Sequence, residues 1–79
     1  MPRKIELIWD FFGDDSEGTA RHHAVHLEEF MRKENKPFLK IDIRLMDVSD
    51  ALASITIDEE LVVFVRDRLK PHRARLVEV

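Results

Sequence analysis

Three of the four histidines fall in one stretch, His22, His23 and His26 in T-A-R-H-H-A-V-H-L-E-E-F-M-R-K-E from Thr19 to Glu34. Imidazole titrates near neutrality and is the commonest metal ligand, so the chemistry on offer is proton transfer or coordination. His22 and His26 are four residues apart. On a helix that spacing turns both rings the same way, with Glu29 near enough to be a third ligand to a divalent transition metal such as zinc. Further donors would have to come from Asp14 or Asp15. His23 sits beside Leu27 and Phe30; partly buried near Asp10, it would become a general base or a pH switch. The candidate catalytic groups are thus His23, His26 and Asp10. The same spacing also suits an ordinary solvated helix and no His-Glu-x-x-His motif is present, so the first expectation is structural histidines and no cofactor.

Positioning these rings requires the Thr19–Glu34 stretch to be a helix. At about 100° per residue, Ala20, Ala24, Leu27 and Met31 share a stripe flanked by Phe30 and His23, while His22, His26 and Glu29 turn toward water. Asp15 or Ser16 is the expected N-cap, and the acidic loop Asp14–Glu17 suits the positive end of the helix dipole. Pro37 disfavours helical geometry before it, so fraying is expected by Asn35 and Lys36.

Around this helix the pattern has period two. Ile5, Leu7, Trp9 and Phe11 alternate with Lys4, Glu6, Ile8, Asp10 and Phe12 over residues 4–12; Leu39, Ile41, Ile43 and Leu45 alternate with Lys40, Asp42 and Arg44 over 38–45; Ala53, Ile55 and Ile57 form the apolar side of 51–57. Asp47–Asp50 reads as a turn. Residues 58–70 have a Val-Val-Phe-Val centre of strand propensity, but acids at the start, bases at the end and Pro71 as a stop favour a helix over a strand. Residues 72–79 read as a final strand.

Strand, helix, strand, strand, helix, strand is the ferredoxin-like split βαβ order: an α+β fold with a four-stranded antiparallel sheet and two helices on one face. The open face would carry mixed charge, with a small apolar patch of Ile8, Phe12 and Phe38 at one edge. His72, Arg73 and Arg75 would make a small basic edge.

Composition narrows the function classes. The 79 residues suit one domain, 1–79, with a modest core and no cysteine to staple it. Charged residues are 37% and the net charge is −3, which offers no general attraction to nucleic acid. The longest continuous apolar run, Leu61–Val65, is far too short to span a membrane. Without a recognisable leader, a cytoplasmic location is expected. No G-x-S-x-G, P-loop or G-x-G-x-x-G motif is present. The leading expectation is a non-catalytic binding domain that self-associates or meets a protein or polar small molecule through Ile8, Phe12, Phe38, Arg44, Arg73 and Arg75. The alternative is a small enzyme or metal-binding protein centred on His22, His23 and His26.

Overall fold

The computed structural model describes residues 3–77. Period-two alternation becomes β1 (Lys4–Phe12), β2 (Lys40–Asp47), β3 (Asp50–Asp58) and β4 (Arg73–Val77); the periodic apolar stripes become α1 (Ser16–Lys33) and α2 (Val62–Leu69), the latter preceded by one 3-10 turn at Glu59–Leu61. The strands form one sheet in the order β2-β3-β1-β4, with every neighbouring pair antiparallel. The helical reading of residues 58–70 is therefore correct, although the α-helix is shorter than its charge pattern suggests. The final strand ends at Val77 among the described residues; positions 78 and 79 of the expected 72–79 lie outside them.

The helix ends depart from expectation for local reasons. Asp15 is the N-cap of α1 but makes no side-chain cap bond, and Ser16 is already helical and buried. The first turn is tied instead by Thr19 Oγ1 donating to the Asp15 carbonyl and by Arg21 donating to Glu17. At the other end α1 closes rather than frays. Asn35 takes the left-handed conformation at φ 56°, while Asn35 N–H reaches the Arg32 carbonyl and Lys36 N–H the Met31 carbonyl. That pair of bonds is the Schellman closure, and Asn is the residue after Gly that best tolerates its backbone. Asp58, at the head of the charge-flanked segment, is the N-cap of the 3-10 turn but makes no side-chain cap bond, its carboxylate pairing with the Lys4 ammonium instead. Gly13, at φ 116°, makes the β1–α1 corner and donates to the Ser49 carbonyl across the sheet end.

Both helices lie on one face of the sheet. Leu7 and Trp9 from β1, Ile55 and Ile57 from β3, Leu27 and Met31 from α1 and Val65 from α2 form one buried cluster. A second cluster of small residues, Ala20, Ala51 and Ala53, lets the first half of α1 sit close to β3. Trp9 is buried, and its indole N–H donates to the Leu69 carbonyl at 2.8 Å, which satisfies the ring and pins the end of α2 over β1.

Cover is uneven across the sheet. The central strand β3 is buried along its length, whereas β2 at the edge is only half-buried and then exposed. Leu39 and Leu45, expected on an apolar inner face, are 62% and 56% exposed. Their alternation is as clean as that of β3, but the single long helix sits chiefly over β3.

This asymmetry sets the cost of truncation. Leu27→Ala, deep in the core, is expected to cost about 2–5 kcal/mol of stability. Leu45→Ala should stay within about 0.5 kcal/mol. Urea unfolding followed by circular dichroism measures both; equal costs would mean that the β2 edge is covered.

Candidate functional site

The histidine-bearing stretch of α1 presents two different environments. His22 and His26 are exposed on the outer face with ring centroids 4.4 Å apart, so the expected i, i+4 juxtaposition exists. Among the described residues, no group of three or more His, Asp or Glu side chains is gathered to hold a metal ion. Glu29, Asp14 and Asp15 therefore do not complete the pair, and His22 with His26 supplies two donors at most.

His23 turns inward. Its ring lies 4.7 Å from Trp9 and 5.4 Å from Phe11, tilted against both. Its Nε2 is fully enclosed and has no hydrogen-bond partner. Burial pushes its pKa below the ordinary 6.5, helped by the nearby imidazoles His26, His72 and His22. The neutral ring is favoured, as a base requires, but among the described residues no carboxylate hydrogen-bonds to it, and its Nε2 is enclosed.

Asp10, the expected partner for that base, is engaged elsewhere. Arg73 grips its carboxylate with two bonds, Nε to Oδ2 at 2.9 Å and Nη2 to Oδ1 at 3.0 Å. This pairing holds Asp10 below the usual carboxylate range. The Asp10 backbone N–H donates to His72 Nδ1 at 2.8 Å, which requires that nitrogen to be unprotonated. His72 and Arg73, two of the three residues of the expected basic edge, thus fasten the start of β4 to β1. His23, His26 and Asp10 do not form one catalytic constellation.

The open sheet face differs from a simple solvated charge field. Glu6, Ile8, Ser54, Thr56 and Leu52 are all buried on it. Cross-strand register puts Arg75 opposite Glu6 on one side and Thr56 on the other, with Ser54 opposite both Ile8 and Asp42. Arg75 Nε donates to Glu6 Oε1 at 2.6 Å, and Arg44 Nη2 approaches Oε2 to 3.5 Å. The Glu6 side chain is 2% exposed. Burial alone would raise its pKa, but the Arg75 bond, the neighbouring Ser54 hydroxyl and the Arg44 charge more than offset this and hold it low. Glu6 Oε2 and Ser54 Oγ are nonetheless both enclosed without a partner of good hydrogen-bond geometry.

The predicted interaction residues therefore separate. Ile8 is buried, not part of an exposed patch, and Phe38 is half-buried against the core cluster. Phe12 is exposed at 74%. Arg44, Arg73 and Arg75 reach across the face to Glu6 and Asp10. The buried Glu6 between two edge arginines is the feature that sequence reasoning missed. Its only signal is a carboxylate on an even position of β1, and its partners become evident only with the strand order.

No helix of the described residues is long and apolar enough to cross a membrane. The shallow hollow beside α1 and β2, about 500 Å³, is lined by Arg21, Ala24, Val25, Glu28, Ile41, Asp42 and Ile43, with none of the histidines among them.

Two stability outcomes follow. The folded chain resists protonation at His23 and the unfolded chain does not, so His23's contribution is complete above pH 6.5 and declines as pH falls from there toward its lowered folded pKa. His23→Leu should flatten that slope in thermal melts between pH 5 and 7.5; an unchanged slope would mean that His23 is not the responsible group. Arg75→Ala should cost about 1–3 kcal/mol, because it strips the enclosed Glu6 of its direct donor, and should raise the Glu6 carboxyl titration seen by NMR.

No protein-family model, curated protein or solved structure matches the chain.

Proposed function

We propose that this chain is a small binding domain that works by associating with a protein surface, in the simplest case a second copy of itself, and that it carries out no chemistry of its own. The observation that carries this reading is the distribution of exposed apolar side chains. Leu45 and Met46 in β2, Leu39 just before it, Val48 in the turn after it and Val25 on α1 are all more than half exposed, while Phe12 and Val63 are exposed singly elsewhere. Exposed apolar side chains gathered along one edge of a sheet are the kind of surface that marks association sites. The polar groups suited to chemistry are otherwise engaged: Asp10 with Arg73, Glu6 with Arg75, and His23 against Trp9 and Phe11.

We also infer the ferredoxin-like split βαβ plan. Its support is the alternation of one strand, one helix and a strand pair, followed by a helix and a strand, together with three antiparallel pairings that put β1 and β3 at the centre. An exposed strand at each edge is inherent in that plan, and the β2 edge is the apolar one.

Sedimentation velocity over a hundredfold range of concentration tests the functional reading. The wild-type protein should gain mass with concentration, and Val25→Glu combined with Leu45→Glu should remain monomeric with an unchanged circular dichroism spectrum. A wild-type chain that stays monomeric throughout removes self-association. Zinc uptake by that monomer, lost on His22→Ala, would move the assignment to the paired histidines.

A further inference from the structure

We propose that two copies of this chain join edge to edge through β2, antiparallel about a two-fold axis that passes through Ile43, to make one continuous eight-stranded sheet. The proposal rests on the self-association reading above and specifies its partner and register.

The backbone of β2 is oriented for such a join. The Thr56 carbonyl faces β2, where it accepts the Leu39 N–H at 2.8 Å, and Thr56 stands opposite Lys40. Antiparallel alternation then turns the N–H and C=O groups of Ile41, Ile43 and Leu45 away from β3, toward the open edge. The Ile43 N–H is accordingly taken by the side chain of its neighbour, Asp42 Oδ1, at 2.9 Å. This is a local cover on an edge that has no strand beyond it.

The sequence of this edge is complementary to itself in one register. With Ile43 opposite its own copy, Asp42 meets the partner's Arg44, and Arg44 meets the partner's Asp42. On the other face Ile41 meets the partner's Leu45, and Leu45 meets the partner's Ile41. Opposite charges thus fall together on the open face and apolar residues on the helix face, which are the pairings that stabilise neighbouring strands. A shift of one residue on one strand would set apolar residues against charged ones and disrupt both rows. Asp42 and Arg44 are 38% and 43% exposed at the side chain and stand 3.8 Å apart within the chain. Asp42 also lies 3.8 Å from Lys40, and Arg44 keeps its Nη2 3.5 Å from the Glu6 carboxylate, so the partner's groups would join these contacts rather than replace them.

The helices leave room. With strands about 4.8 Å apart, the two β3 strands would stand three spacings apart, about 14 Å. Helices pack at about 8–10 Å, so two copies of α1 lying chiefly over β3 do not collide. The space between them is the hollow bordered by Arg21, Val25, Glu28 and Ile43. Val25 is 57% exposed there, and its copy approaches from the other side of the axis.

The test combines charge exchange with a cross-link. Asp42→Arg alone and Arg44→Asp alone each set like charges against one another at both symmetric positions, and each should weaken self-association by about tenfold or more. An equimolar mixture of the two variants restores opposite pairs at both positions, and it should form heterodimers, seen by native mass spectrometry, with near wild-type strength. Because Arg44 also touches Glu6, a second variant avoids that contact. The chain has no cysteine, and opposite residues of an antiparallel pair have Cα atoms about 4.5–5.5 Å apart, within disulfide range. Ile43→Cys should therefore cross-link to its own copy under mild oxidation much faster than Val63→Cys, an exposed position on α2. If wild type associates but Ile43→Cys cross-links no faster than Val63→Cys and the mixture forms no heterodimer, the register is wrong and self-association uses another surface. If wild type does not associate at all, this proposal and the reading beneath it fall together.

Discussion

The paired strands β1 and β3 must be buried on both faces, and the rest of the molecule is arranged to meet that demand. On one face Leu7, Trp9, Ile55 and Ile57 are covered by the apolar stripe of α1 and by Val65 of α2. On the other face no helix is present among the described residues, yet Glu6, Ile8, Leu52, Ser54 and Thr56 are also removed from water. Arginine stems from the two edge strands do part of that work, because a guanidinium can remain half-hydrated while its methylenes lie over apolar surface. The carboxylate of Glu6 fixes where two of those arginines come to rest. A buried charge of this kind adds little net stability over an apolar substitute, but once present it penalises any arrangement that separates it from its partners.

That principle also explains what was legible in the sequence and what was not. The alternation of residues 4–12, the stripe of Ala20, Leu27 and Met31, and the charge-flanked segment before Pro71 are local patterns, and each becomes the expected element. The helix starts where Asp15 is the expected cap, but the missing side-chain cap bond, the 3-10 turn and the closed end at Asn35 differ because hydrogen bonds at helix ends involve only a few residues and are decided by geometry rather than periodicity. The mismatch at β2 has another origin. Period two states which side of a strand is apolar, but not whether anything lies over that side. With one long helix, cover is concentrated on β3, and Leu39 and Leu45 remain exposed.

The candidate site was legible as residue types and much less so as an arrangement. The adjacency of His22 and His26 follows from helical spacing alone, and it is present. The inward position of His23 was indicated by its place at the edge of the stripe. The engagement of Asp10 by Arg73 and His72, and of Glu6 by Arg44 and Arg75, joins residues more than thirty positions apart in the chain. Such pairings depend on strand order and register, which no single segment encodes. Arginines that look free on a one-dimensional map become internal partners once the sheet is assembled.

The contact between His23 and Trp9 has an optical consequence. Trp9 is the sole tryptophan and the chain contains no tyrosine, so the near-ultraviolet emission excited at long wavelength belongs to one indole. Its ring lies 4.7 Å from an imidazole whose burial disfavours the charged form. An imidazolium quenches indole emission far more strongly than a neutral imidazole does. The geometry thus places a single indole where its brightness is expected to follow the charge on His23, at the point where α1 meets β1, without any label being attached.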